Sequence, residues 1–375
     1  MEKFSKPMRD LCEETFGEFV NPLSSSPEEA RLISTADNQI LSSLRKDVIV
    51  ALIDDGVDTL DPTFSNQFVE GKTFDYQGDD GVGQYYVSAN GHGTDMARMI
   101  LKVCPMARIY SIKLKTQPSK DGQHLTIDES SIAPASHPSI YLLHGGIIAD
   151  VISMSWTITI PEAGTDNQKR IDKVLKLACS KDVLMFCSSP DQRTQTKHYP
   201  SHYNPEKIFL VGAADDSGTA FNHSGLDNDF IFPGVNVNTG NNHNRPYSND
   251  PTSAVQMATG PSIATALAAG LAAMVTYCFK ASVLAAVTTR IAQGRPPAAS
   301  ETELVKPQDV GRIAHHDGLK KVFDRIGTID GGKFIAVWRI FRPATECLTD
   351  EKLTYEQRAN HVMELCRDLM DRMDR

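Results

Sequence analysis

The stretch Gln256-Met257-Ala258-Thr259-Gly260-Pro261-Ser262-Ile263-Ala264-Thr265-Ala266-Leu267-Ala268-Ala269-Gly270-Leu271-Ala272-Ala273-Met274 constrains this chain more than any other. Its Ala and Leu content favours a helix, and the preceding Thr-Gly-Pro sets the Ser262 hydroxyl where a helix's first unpaired N–H groups converge. Small residues at 264, 266, 268, 269, 270, 272 and 273 let neighbours approach from nearly every side, so the helix is expected at the centre of a fold. The seventeen residues from Ile263 to Phe279 carry no charge. A membrane span needs about twenty strongly apolar residues; this shorter run, rich in Ala and Gly, fits a buried helix better.

Other segments supply a sheet for that helix to pack on. Asp47-Val48-Ile49-Val50-Ala51-Leu52-Ile53 has no polar alternation, the pattern of a parallel strand covered on both faces. Further apolar runs lie at 107–114, 145–156, 183–188, 208–214 and 230–235, separated by helical patterns such as Gln168 to Ser180. Strand and helix alternate repeatedly, which predicts an α/β fold with a mostly parallel sheet and helices on both faces. The polar segment from Pro62 to Ala89 reads as loops with a short hairpin, and Ala281 to Ala292 as a second helical pattern after Lys280.

Three regions are expected: a helical N-terminal extension over 1–45, an α/β domain over 46–293, and a mainly helical C-terminal region over 294–375. Within the first, Ser26-Pro27-Glu28-Glu29 reads as the start of a helix running to about Leu44. In the last, Val362, Leu365, Cys366, Leu369, Met370 and Met373 share one helical face, which either packs on the main domain or docks a protein partner.

A net charge of -9 and a pI near 5.7 argue against nucleic acid or an anionic membrane as partner. The N-terminus lacks the apolar stretch of a secretory signal. Seven cysteines, odd in number and mostly inside apolar runs, fit free thiols in a reducing cytosol, so the expected location is cytoplasmic. No Cys/His cluster offers zinc, and Asp75, Asp79 and Asp80 read as a solvated acidic loop without calcium-ligand spacing, so no cofactor is expected. Gly71-Lys72-Thr73 lacks the first glycine of a phosphate loop, Asn66 standing in its place.

Polar residues with chemical potential stand at element ends in the order Asp54, His92, Ser262. Hydrolysis through an activated serine needs a hydroxyl, an imidazole to take its proton, and a carboxylate to fix the imidazolium. Val50-Ala51-Leu52-Ile53-Asp54-Asp55-Gly56-Val57-Asp58 resembles the Asp motif of subtilisin-like serine proteases, with Asp55 where Ser or Thr is usual. Asn90-Gly91-His92-Gly93-Thr94 is similar to the family's His motif, with Asp95 where a second His normally follows. Gly260-Pro261-Ser262-Ile263-Ala264-Thr265-Ala266 resembles the Ser motif, with Pro261 for Thr and Ala266 for the later Pro.

The resemblance covers about residues 46 to 280 and implies a three-layer, doubly wound fold and a serine endopeptidase acting on peptides or proteins. It assigns Ser262 as nucleophile, His92 as proton shuttle and Asp54 as the residue that orients His92. It also implies that Ser155, Trp156 and Thr157 border the substrate and the first specificity pocket. At the position of the family's oxyanion-binding Asn, Cys187-Ser188-Ser189-Pro190-Asp191 puts Asp191, or Pro190 with a shift of one. Losing such a donor costs about 100- to 1,000-fold in turnover, a magnitude drawn from subtilisin itself. An ionised carboxylate there repels the developing negative charge, whereas a protonated Asp191 donates one hydrogen bond. A catalytically weak or silent module used in regulation or protein interaction is therefore the alternative. Asp191→Asn should raise peptide hydrolysis at neutral pH, up to about 100-fold; an unchanged rate removes Asp191 from the mechanism.

Overall fold

Strand β1 (Ile49–Asp54) is buried along its whole length, as five apolar residues in a row, closed by Asp54, require when both faces of a sheet are covered. In the computed structural model, residues 1–17, 42–64, 66–76, 81–118, 125–135, 149–160, 163–181, 183–190, 197–221, 227–240, 256–292, 305–327 and 333–370 are described. The start read at Ser26-Pro27 and the residues Asp79, Asp80, Asp191 and Met373 lie outside them.

After β1 come β2 (Phe68–Thr73), β3 (Arg108–Lys113), the short antiparallel pair β4 (Thr116–Pro118) and β5 (Leu125–Ile127), and β6 (Val151–Met154). Then follow β7 (Ile158–Thr159), β8 (Leu184–Ser188), β9 (His198–Tyr199), β10 (Ile208–Ala214), β11 (Phe230–Pro233), β12 (Val237–Gly240) and β13 (Gln256–Ala258). Seven of these make one parallel sheet in the order β11-β10-β8-β6-β1-β3-β2. The chain leaves β1 to build β3 and β2 on one side, then crosses to β6 on the other. That reversal opens a crevice at the carboxyl ends of β1 and β6, where ligands gather in open α/β sheets.

Two compact units divide the chain: residues 49–273 with 328–335, and residues 1–48, 274–327 and 336–375. In the first, alternate strand residues face opposite sides. Ile49, Ala51 and Ile53 share a buried cluster with Ile112, Met154 and Leu175, the last from the Asp166–Ser180 helix. The His92–Val103 helix also packs on β1. It approaches the helix that begins at Pro261 so closely that a Cβ on Gly270 would lie 2.8 Å from Ile100 O and 3.0 Å from Val103 Cβ. The small residues at 264, 266, 268, 269, 272 and 273 are all buried.

That helix runs unbroken from Pro261 to Ala292, so the pattern after Lys280 is its continuation and no second helix. Lys280 stays inside it because its buried ammonium donates to Lys46 O at 2.8 Å. By length and composition Pro261–Val287 could cross a membrane, yet 89 % of its most apolar window is buried within the protein.

The expected loop and hairpin at 62–89 is corrected in one place, where Phe68–Thr73 joins the main sheet as its edge strand, parallel to β3. An edge strand has one neighbour and solvent beside it, so its sequence, Phe-Val-Glu-Gly-Lys-Thr, lacks the unbroken apolar run of the central strands. At the opposite edge, β11 gains Lys333–Ile335: the Ile231 N–H donates to Lys333 O at 2.8 Å and the Ile335 N–H to Ile231 O at 3.1 Å.

The second unit is helical, built from Glu2–Gly17, the end of the long helix, Pro307–Ile313, His316–Ile326, Trp338–Leu348 and Tyr355–Met370. Phe4 meets Phe341 edge to face at 4.8 Å, and Val362, Leu365, Cys366, Leu369 and Met370 are buried.

Gly270→Val adds three carbon atoms against the Ile100 backbone and the Val103 Cβ, neither of which can move aside freely. Its unfolding free energy should fall by about 1–3 kcal/mol, read from the urea midpoint, and an unchanged midpoint would refute the close approach.

Candidate active site

Asp54 ends β1 and is 3 % exposed. A buried carboxylate requires hydrogen bonds. Its Oδ1 accepts from the Asp55 N–H at 2.8 Å and pairs with His92 Nδ1 at 2.7 Å, while Oδ2 is buried with no partner among the described residues. His92 opens its helix from a Gly91 in the left-handed region (φ 90°), a conformation glycine adopts without strain. The His92 side chain is 37 % exposed, and Nε2 has no hydrogen-bond partner among the described residues.

Ser262 is the second residue of the Pro261–Ala292 helix, half-buried. Pro261 fits that first turn because its fixed φ suits a helix and its missing N–H would have been unpaired there. The Ser262 hydroxyl donates to Ser155 O at 2.9 Å, and the Ser155 hydroxyl donates to Ser262 O at 3.2 Å. Among the described residues no hydrogen bond joins Ser262 to His92. Ser155 directly follows β6, so Asp54 and Ser155 flank the crevice where the strand order reverses.

Trp156 sits in the core: it is 8 % exposed, packs in the cluster with Ile53 and Ile112, and donates Nε1–H to Ile53 O at 2.9 Å. Thr157 is half-buried. Pro190, the other residue read at the oxyanion position, is half-buried beside the buried Ser189. A cavity of about 690 Å³ opens next to His92, lined by Asp58, Leu60, Tyr86, Asn90 and Gln256 among others.

Electrostatics at the site are dominated by carboxylates. Burial alone would lower the His92 pKa, but the charge of Asp54 and its hydrogen bond, then Asp55 and Asp95, outweigh it and hold His92 up at about 9. Burial, then the neighbouring Asp54 charge, pushes Asp55 up to about 6. Asp95 is also raised by burial, against the pull of Arg98 and His92; it accepts from Arg98 at 2.8 Å and from Gln256 Nε2 at 2.7 Å. The sequence singled out Asp55 and Asp95 only as departures from a motif; their partners lie 33 to 161 residues away for Ser88, Gly93 and Gln256.

A histidine held protonated in the folded state stabilises that state below its unfolded pKa. The contribution is lost as pH rises from about 6.5 through about 9. The stability advantage of the wild type over His92→Gln should therefore shrink across that window in denaturant titrations at fixed ionic strength. An advantage that grows with pH would show that His92 is held neutral.

The pattern of the subtilase family matches residues 45–291. The major intracellular serine protease of Bacillus subtilis (strain 168) is 26 % identical over 237 residues, covering 59 % of this chain and 68 % of that protein. Among solved structures, a lanthipeptide protease is similar with a TM-score of 0.50 and 19 % identity, over 83 % of this chain and 91 % of that one. The prenylagaramide maturation protease PagA is similar with a TM-score of 0.47 and 17 % identity, over 87 % of this chain and 97 % of its own. With the family pattern spanning most of its length, a seven-stranded parallel sheet beneath it and the three motifs in order, this chain belongs to the subtilase family.

Proposed function

We propose that the chain is a serine endopeptidase in which Ser262 attacks the peptide carbonyl, His92 takes and returns the proton, and Asp54 fixes the imidazole. The observation that carries this reading is the 2.7 Å bond from His92 Nδ1 to a buried Asp54, with Nε2 able to accept a proton once the ring is neutral, above about pH 9. One nitrogen is anchored and the other is available, the arrangement a general base needs. Attack requires the Ser262 hydroxyl to exchange Ser155 O for His92 Nε2. Catalytic hydrogen bonds commonly tighten only when substrate arrives.

The tetrahedral intermediate would draw on the Ser262 backbone N–H, at the positive end of a long helix, and on Asp191 if that carboxyl is protonated. These demands oppose each other. A base held up at about 9 works better as pH rises, whereas a protonated carboxyl is favoured as pH falls, so turnover at neutral pH should be low. Peptide or protein is the proposed substrate, with Ser155, Trp156 and Thr157 at its acyl side. Since the Trp156 ring is in the core, its contribution would come through its backbone. No cofactor is proposed, and the similarity to an intracellular protease supports action in the cytoplasm.

The second reading, a silent module, is favoured by one observation: the Ser262 hydroxyl is bound to Ser155 O instead of to His92. A fluorophosphonate probe separates the two. Labelling should strengthen as pH approaches about 9 and vanish in Ser262→Ala. Absence of labelling at every pH from about 5 to 10, spanning the His92 titration, would leave only the silent module.

A further inference from the structure

Asp55 directly follows Asp54 at the end of β1, and its carboxylate accepts three hydrogen bonds. It is 2 % exposed. Its Oδ1 accepts from the Gly93 N–H at 2.7 Å and from Ser88 Oγ at 2.8 Å; its Oδ2 accepts from the Asn90 N–H at 2.9 Å. Ser88 Oγ in turn accepts from the Gly91 N–H at 2.8 Å, and the Asp55 carbonyl accepts from the Ala89 N–H at 3.0 Å. One residue thus gathers the turn from Ser88 to Gly93, on both sides of His92. Gly93 can sit so close because it lacks a side chain: a Cβ there would lie 2.1 Å from Gly56 O and 2.9 Å from Asp55 Oδ1.

The Gly93 N–H is one of the unpaired first-turn groups of the His92 helix, satisfied from another element by a charged acceptor, while the Asn90 N–H belongs to the turn just before it. Resting on the endopeptidase reading, we propose that Asp55 is a positioning residue for His92, a second carboxylate that fixes the turn carrying the imidazole. Asp54 binds the ring directly; Asp55 acts through the backbone and through its charge. The groups facing this pair are Asp54 at the end of β1, Asp58 further along the same turn, and Asp95 on the His92 helix. Asp58 accepts from the Ser88 N–H at 2.9 Å. From β3 comes Lys113, whose ammonium donates to Val87 O at 2.8 Å and lies 3.8 Å from Asp75.

Two consequences distinguish this role from plain structural support. Removing the Asp55 charge lowers the pKa of His92, because a negative group that favoured the imidazolium is gone. Protonation of Asp55, held up to about 6 by burial and by Asp54, weakens its grip on the turn towards acid pH.

The test follows the His92 Nδ1–H proton by one-dimensional proton NMR across pH in the full chain, so its readout does not need activity. In Asp55→Asn and Asp55→Ser the titration midpoint should fall by about one pH unit and the resonance should broaden through exchange with water. A midpoint unmoved in both folded variants overturns the proposal. If neither variant folds, Ser88→Ala decides: broadening of the resonance supports the proposal, and an unchanged line overturns it. Fluorophosphonate labelling is read in parallel. A shifted midpoint without labelling of the wild type would sink the endopeptidase reading and leave the positioning role; labelling with an unshifted midpoint would do the reverse.

Discussion

A carboxylate buried at the end of a central strand is the constraint on which the site depends. Asp54 cannot be left without partners in a low-dielectric setting. It obtains them from its neighbour's N–H and from an imidazole delivered by a helix 38 residues later in the chain. That requirement fixes where the His92 helix must begin. The helix start in turn leaves the Gly93 N–H to be paired, and Asp55 supplies the acceptor while also holding the Asn90 N–H of the preceding turn. Two adjacent carboxylates at one strand end would repel each other, and the imidazolium between them and solvent offsets this, which is why His92 holds its proton so strongly.

The Ser262 side of the site is arranged by packing. Small residues allow the helix from Pro261 to lie against the His92 helix, and its first turn reaches the crevice beside β6. There Ser262 and Ser155 exchange two hydrogen bonds. Such reciprocal bonds hold the strand end and the helix start in register. They also give the Ser262 hydroxyl a resting partner that the chemistry would have to displace.

Much of the architecture was legible in the residues. Runs without polar alternation marked β1, β8 and β10, and each is buried apart from the half-buried Leu210. The Ala- and Gly-rich stretch read as a central helix is buried almost throughout. What the residues alone do not signal lies at edges and in long-range contacts. Phe68–Thr73 belongs to the sheet although its composition is that of a loop, since an edge strand has a single neighbour. Lys333–Ile335 pairs with β11 across some hundred residues of chain, and nothing local signals such a pairing. Trp156, which the motif implies lies beside the substrate, bonds its indole N–H to Ile53 O in the core, a contact that no spacing rule contains.

By itself, then, the order of residues determined the fold class and the motifs that carry Asp54, His92 and Ser262, because periodicity and residue type are local properties. Only the tertiary structure decided which atoms those groups touch. The Ser262 hydroxyl goes to Ser155 O, the Asp55 carboxylate goes to the turn around His92, and His92 stands among three carboxylates. Hydrogen-bond partners and electric fields are set by distances across the sheet's crevice, between segments far apart in the chain.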